Sequence, residues 1–467
     1  EGVLSASFIP VYAKLLAEGD RDRARQIAGA MGGLLAIATS IVVLIGILIT
    51  PVLVSVFTPG FEGEKREVTI RLVRILFPGS GLLVLSAWCL GVLNSHGRFF
   101  LSYSAPVLWN VAIIAVLLLS GNGASGYRLT ELAAWGAVIG SALQFGIKFP
   151  SVLRLIGRLP ASFIRGATAV GTVVRNALPV LVGRGVVQVS AYVDTVLASL
   201  LPTGAVAAVT YAQVLSTLPI SLFGMAVSAA ELPAMSGVRG ESRAVADQLR
   251  ERLMRGLRQI ALFVIPSAVA FLALGDVIVA ALYQTGAFTR SMTLYVWGIL
   301  AGSALGLLAS TWGRLYSSTF YAMQDTRTPL RFAVVRVLLS ILLGYLLAVP
   351  LPGAVGLEQR WGVVGLAVAS SLGAWTEFLL LRRRLDARIG STVLPRRLIA
   401  RLWGGAAAAA IAGAVVKLAL EYQHPVVTAL FSLGMYGVAY FAITAELGVP
   451  ESRRLLSRVR IDRKAKR

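Results

Sequence analysis

Three polar side chains stand in a stretch long and apolar enough to cross a bilayer. In Thr172 to Pro202, TVVRNALPVLVGRGVVQVSAYVDTVLASLLP, Arg184 falls near the middle, Gln188 one turn on, and Asp194 nearer the far end. A charge at the bilayer centre costs at least about 2.5–3.5 kcal/mol, so such residues usually face a protein interior or a wet cavity. Two opposite charges in one span point to a helix that lines something. The simpler account is an internal ion pair with another helix, and the sequence leaves both open.

Other charged residues fall inside apolar runs. Arg314, just after Trp312, either lines a cavity or snorkels to the near interface. Arg336 and Glu377 each lie about a turn and a half into neighbouring spans, and a structural ion pair between them is favoured over a substrate role. Glu231 reads as an interfacial cap and Lys417 as a snorkelling residue. Asn94, Asp325 and Thr328 read as turn and cap residues at one face of the membrane.

Enzymatic chemistry finds no support. No nucleophile–base set, Gly-rich phosphate loop or metal-ligand spacing is visible. The single cysteine, Cys89, excludes an internal disulfide framework, and His96 and His424 fall in connections.

The elements that must position these residues are membrane helices. Of 467 residues 57% are hydrophobic and 14% charged, against about 25% charged in soluble domains, and the mean hydropathy is +0.77. Residues 1–16 read as the end of a span. Twelve more follow, at about 26–57, 69–94, 99–120, 131–153, 172–202, 204–235, 256–283, 291–322, 330–350, 362–382, 400–420 and 425–447. The fold class is an all-α integral membrane protein.

The connections alternate sharply in charge. Most of the 44 Lys and Arg fall in one set: Lys14 to Arg25, Arg98, Lys148 to Arg175, Arg239 to Arg258, Arg327 to Arg331, Arg382 to Arg401, and the tail from Arg453. Basic loops stay in the cytoplasm, so the net charge of +22 reads as topology and lipid contact, not nucleic-acid binding. The C-terminus is then cytoplasmic.

An internal repeat is also present. SASFIP at Ser5 pairs with SAAELP at Ser228, VFTPGFEGE around Gly60 with LYQTGAFTR around Gly286, and GVLNSHGRFFLSYSAP with STFYAMQDTRTPLRFA, all at an offset of about 223–229. Corresponding loops share a side, so the repeat is parallel, about an axis along the membrane normal. The counterpart of 172–202 would precede Ser5. One helix and part of a second are therefore expected to be missing from the N-terminus. The intact protein would have two pseudo-symmetric six-helix lobes and a terminal pair. The expected domains are 1–170, 171–390, a helix pair at 391–450 and a basic tail at 451–467.

EGVLSASFIPVYAKLLAEGD, FTPGF, GVLNSHGRFFLSYSAPVLWN, LYQTGAFT and FYAMQDTRTPLRFA together resemble the MurJ/MviN family of lipid II flippases, within the multidrug/oligosaccharidyl-lipid/polysaccharide exporter superfamily. The resemblance covers essentially the whole chain. It implies two lobes around a cationic cavity, two extra helices forming a lipid-facing groove, and passage of undecaprenyl-pyrophosphate-linked peptidoglycan precursor from the inner to the outer leaflet of the bacterial cytoplasmic membrane. Arginine suits a pyrophosphate, because its planar fork forms bidentate charge-assisted bonds.

By the same resemblance Glu1 and Ser5 fall in the family's EG motif region, and Arg314 matches a basic position. A cavity arginine is expected within Tyr211 to Pro219, where Val214 stands instead, and Arg184 is the candidate to replace it. Tyr211 opens that segment. A sodium site is implied at Asp194, Ser340 and Ser370. No cofactor is required, while coupling to Na⁺ or to the membrane potential is left open. The implied partners are the lipid-linked precursor, membrane lipids and cell-wall synthesis proteins. Alternatives are a flippase for another polyprenyl-linked glycan, a cation-coupled exporter of the same superfamily, and a non-transporting cell-wall scaffold.

Overall fold

The computed structural model describes residues 8–124, 126–157, 192–228, 231, 235, 242–323, 325–420 and 423–453. All regular structure among them is helical. Among the described residues eleven helices are long and apolar enough to span a membrane. Of the other expected spans, 1–16 is described only from residue 8, and 172–202 only from residue 192.

The chain divides into two compact units, Glu1–Tyr192 and Val193–Arg467. The first holds α1 (Ile9–Ala17), α2 (Arg21–Phe57), α3 (Gly63–Ser95), α4 (Phe99–Ser120) and α5 (Tyr127–Ile156). The second opens on helical residues 193–199. It continues with α6 (Ala205–Pro219), which runs on through a π-helical turn at Ile220–Met225. Then come α7 (Ser242–Tyr283), α8 (Arg290–Ala322), α9 (Arg327–Ala348), α10 (Gly362–Ile389), α11 (Arg396–Ala419) and α12 (Pro425–Glu446).

Local chemistry sets the ends of these helices. Asp20 caps α2 by accepting from the Arg23 N–H at 3.1 Å, as an N-cap aspartate does. Asp325 opens α9 the same way, accepting from the Thr328 N–H at 3.0 Å and its hydroxyl at 2.8 Å. Those two bonds hold the Asp325 carboxyl down at about 2, with Arg388 at 2.8 Å adding to the effect.

The sequence repeat is also a backbone repeat. In the first unit the Phe61 N–H bonds to Thr58 O, and Arg98 N–H to Leu93 O. In the second the Phe288 N–H bonds to Thr285 O, and Asp325 N–H to Phe320 O. Each second-unit bond lies 227 residues after its first-unit partner, as subtraction of these residue numbers shows.

Each unit has its own interior. The first packs Phe8, Tyr12, Ile27, Met31, Trp88, Leu93, Val152 and Ile156 together. Here α5 runs further than expected. The basic connection read from Lys148 begins after Ile156, because Val152 and Ile156 continue the apolar face into this core. Lys148 itself is 1% exposed and donates to Ser86 Oγ at 3.0 Å.

The second interior centres on α7 and α8, with Ile260, Ile265, Leu274, Leu300, Leu315, Tyr316 and Phe320 buried. A helix that is apolar around most of its circumference belongs inside a protein, and α7 is enclosed by α8, α11 and α12. So the pair at 391–450 is not a separate body. Two tyrosines of α12 bind backbone oxygens of α7: Tyr436 Oη donates to Pro266 O at 2.6 Å, and Tyr440 Oη to Leu262 O at 2.7 Å. The second bond has a cause in the sequence. Pro266 has no N–H for the carbonyl four residues before it, and that carbonyl is Leu262 O.

Candidate functional site

The second unit holds a partly open chamber of about 160 Å³ with both polar and apolar walls. Four helices and the segment before α6 build it. Asp194 comes from residues 193–199, Gln213 and Ser216 from α6, Ser303 and Ser310 from α8, Arg336 from α9, and Ser370 and Ser371 from α10.

Small residues bring these helices close enough to share the space. A Cβ on Gly306 would sit 2.6 Å from Ser371 Cα, so α8 and α10 touch there only because residue 306 has no side chain. Ser371 Oγ donates across the contact to Gly302 O at 2.8 Å. Ser303 and Ser216 donate to carbonyls of their own helices, Ile299 O at 3.1 Å and Gln213 O at 3.1 Å. Their protons are thereby committed, and their lone pairs are left for the chamber.

Asp194 is the single carboxylate of the lining among the described residues, and Ser370 Oγ donates to its Oδ1 at 3.1 Å. Arg336 would oppose a cation here, but its Nη1 lies 3.0 Å from Glu377 Oε2, and that pairing offsets its charge. What remains is one carboxylate among neutral oxygens. Such a set suits a hard monovalent cation or a proton. No group of three or more His, Cys, Asp or Glu that could hold a metal ion occurs among the described residues. The volume suits a small occupant. Sites for drug-sized ligands run to about 300–1,000 Å³, and this chamber has room for an ion with a few waters.

The structure therefore brings together Asp194 and Ser370, and separately Arg336 and Glu377. Ser340 is 8% exposed and packs its hydroxyl against Gly373 of α10, outside the chamber. Tyr211 is 39% exposed. Its ring lies 4.9 Å from that of Tyr283 and 5.7 Å from that of Phe288. Val214 is exposed on α6. Arg314 is exposed on a helix whose neighbouring Trp312, Leu315 and Tyr316 are buried, within electrostatic reach of Arg336 and Glu377. Arg184, Gln188, Glu1 and Ser5 lie outside the described residues. Glu231 faces Arg252 at 3.7 Å.

One expectation is overturned. Lys417 does not snorkel: its Nζ lies 2.8 Å from Asp276 Oδ2. Asp276, on α7, is 1% exposed and also accepts from Arg290 Nη2 at 3.0 Å. The Asp276 carboxylate was missed in the sequence, although a lone acid in the run LALGDVIVAALY is the kind of residue that needs a partner.

Comparison with known proteins places the whole arrangement. A family model described as "Lipid II flippase MurJ" matches residues 1–437. The "Lipid II flippase MurJ" of Burkholderia cenocepacia is 30% identical over 392 residues, covering 82% of this chain and 74% of the relative. A Vibrio cholerae relative, named "Probable lipid II flippase MurJ", is 28% identical and covers 96% of this chain and 86% of its own. Among solved structures, "Lipid II flippase MurJ, inward closed conformation" aligns with a TM-score of 0.75 at 20% identity, over 98% of this chain and 89% of the other. An inward-facing MATE transporter of the MOP superfamily aligns with a TM-score of 0.64 at 17% identity, over 84% of this chain and 88% of the other. These last two show the fold alone. With the repeat, the helical architecture and a family match over 437 residues in agreement, the chain belongs to the MurJ family of lipid II flippases.

Proposed function

We propose that the protein moves lipid II across the bacterial cytoplasmic membrane, from the leaflet beside its basic loops to the opposite one, by alternating access of its two units. The observation that carries this is the family match over residues 1–437. Physical chemistry supports it. A polyprenyl tail cannot leave the bilayer, and a diphosphate-linked sugar head cannot enter it, so the head needs a polar path beside lipid. No covalent step is required. In this reading the basic tail lies in the cytoplasm, and membrane lipids and the lipid-linked precursor are the partners.

The Asp194 chamber then serves coupling. It is too small for the cargo headgroup, and its single carboxylate and serine oxygens suit Na⁺ or a proton. Asp194 and Ser370 would hold the ion. The ion in turn neutralises Asp194 and lets α8 and α10 settle against the segment that carries it.

The test is complementation. The gene is expressed in bacteria depleted of their own lipid II flippase, beside Asp194→Asn, Arg184→Ala and Ser340→Ala versions at matched membrane levels. Rescue by the unaltered protein and by Ser340→Ala, with loss in Asp194→Asn, is expected. Loss in Arg184→Ala would put that arginine on the cargo path. Failure of the unaltered protein to rescue would overturn the cargo. Rescue by Asp194→Asn would remove the coupling role.

A further inference from the structure

The first unit holds an arginine with more donors than its fold uses. Pro51, inside α2, has no N–H for the carbonyl of Ile47, and Arg74 Nε of α3 lies 3.3 Å from that oxygen. This bond takes one of the five N–H donors of a guanidinium. The four terminal donors have no carboxylate within ion-pair distance among the described residues. Arg71, one turn earlier, reaches Glu131 at a loose 3.8 Å.

Both arginines open into a groove of about 540 Å³ between α3 and α5, lined also by Glu67, Pro78, Trp135 and Val138. Its size is that of a ligand site. Trp135 is 51% exposed there, so an aromatic face is on offer beside the guanidinium pair. The groove runs inward from the end of the unit away from the basic loops. Ile47 lies ten residues before Phe57, the last residue of α2, and so about 15 Å along the helix from that end. A guanidinium within a spanning helix pair favours a wet cavity over lipid. The carboxylates stand nearer the mouth, Glu67 one turn before Arg71 and Glu131 one turn before Trp135. The deep end is thus cationic and the mouth acidic.

We propose that this groove is a headgroup site for a phosphate-bearing lipid. Arg74 and Arg71 take the phosphoryl oxygens through their planar forks. Trp135 covers the organic part. Glu67 and Glu131 accept from hydroxyl or ammonium groups at the mouth. An ordinary phospholipid and a diphosphate-linked sugar lipid present the same chemistry, so the site does not depend on the transport reading above.

The test uses the full chain in phosphate-free maltoside micelles, with Cys89→Ser and Ile70→Cys making residue 70 of the groove wall the one thiol. A water-soluble maleimide should label it. Titrating phosphatidylglycerol, phosphatidylethanolamine or a polyprenyl diphosphate should slow labelling at least fivefold. Arg71→Gln with Arg74→Lys keeps a donor for the Ile47 carbonyl, and should raise the lipid needed about tenfold, as loss of a charge-assisted contact does. Protection by the polyprenyl diphosphate alone assigns the groove to sugar-diphosphate lipids, and protection by either phospholipid assigns it to membrane lipids. The proposal is overturned if the thiol is unreactive without lipid, if none of the three protects, if phosphate-free diacylglycerol protects equally, or if the arginine variant is protected like the parent.

Discussion

Lys417→Met should loosen the terminal helix pair by about 2–3 kcal/mol. The Asp276 carboxylate is almost wholly enclosed, and Lys417 Nζ contacts both its oxygens, at 2.9 and 2.8 Å. A hydrogen bond to a charged group contributes about 1.5–3 kcal/mol, and stranding a buried charge adds a penalty. Arg290 remains at 3.0 Å, which keeps the penalty at the low end. Asp276→Asn should cost more, about 3–4 kcal/mol, because it removes the charge with which both cations pair. Arg290→Gln should cost about 1 kcal/mol or less, since the arginine side chain is 54% exposed and screened by solvent. Replacing the pair together, Asp276→Leu with Lys417→Met, should recover most of the loss, as apolar substitutes for a buried ion pair often do. The assay is reversible unfolding of the purified protein in mixed micelles by titrated dodecyl sulfate, followed by tryptophan fluorescence. A double-mutant cycle should return a coupling of about 2 kcal/mol. Additivity within about 0.5 kcal/mol would refute the pairing, as would a Lys417→Met variant no weaker than Arg290→Gln.

Two further outcomes are expected. Tyr440→Phe strands the Leu262 carbonyl and should cost about 1–3 kcal/mol in the same titration. In a Pro266→Ala background, where residue 266 can donate, the same change should be nearly silent, and equal losses in both backgrounds would sink the argument. His96, in the turn after α3, accepts or donates a 3.0 Å bond with Tyr12 Oη. Partial burial, with Arg98 and Arg21 nearby, lowers its pKa. A histidine depressed in the folded state contributes stability above its unfolded value of about 6.5, and that contribution is lost as pH falls through the lower folded value. Lowering pH from 7.5 to 5 should therefore weaken the protein, and His96→Gln should lose less over that window. An acid loss identical in the variant would show that other groups carry it.

What the sequence revealed depended on whether a signal was local. Helical spans are local, so their existence was legible from hydropathy, and the repeat was legible because turns such as 58–61 and 285–288 carry their own residues. Arg336 and Glu377 were read as neighbours because each charge lay at a similar depth in adjacent spans, whereas Asp194 and Ser370 were joined only through the family resemblance. Asp276 and Lys417 were not joined at all. The two are separated by 141 residues, and Lys417 taken alone satisfies the pattern of a snorkelling lysine. Ser340 was named through the family resemblance, and its hydroxyl packs against Gly373, a contact that no local signal announces. Nothing local to α6 announces that Tyr283 and Phe288 return beside Tyr211.

The two prolines show how one local defect acquires two different uses. Pro51 in α2 and Pro266 in α7 each orphan the carbonyl four residues earlier. In the first unit the donor is Arg74, from the next helix in the chain, and a charged group is thereby drawn into a groove. In the second the donor is Tyr440, from the last helix, and the result is a neutral clasp with Tyr436 beside it. An arginine cap leaves spare donors that must find water or an anion, whereas a tyrosine cap leaves none. In the second unit α12 lies over the proline and its tyrosine reaches the freed carbonyl, whereas in the first the freed carbonyl meets a guanidinium. The tyrosine bonds also explain why α11 and α12 belong to the second unit. Their attachment combines that clasp with the Asp276–Lys417 pair, so the pair should move with α7 whenever the second unit moves.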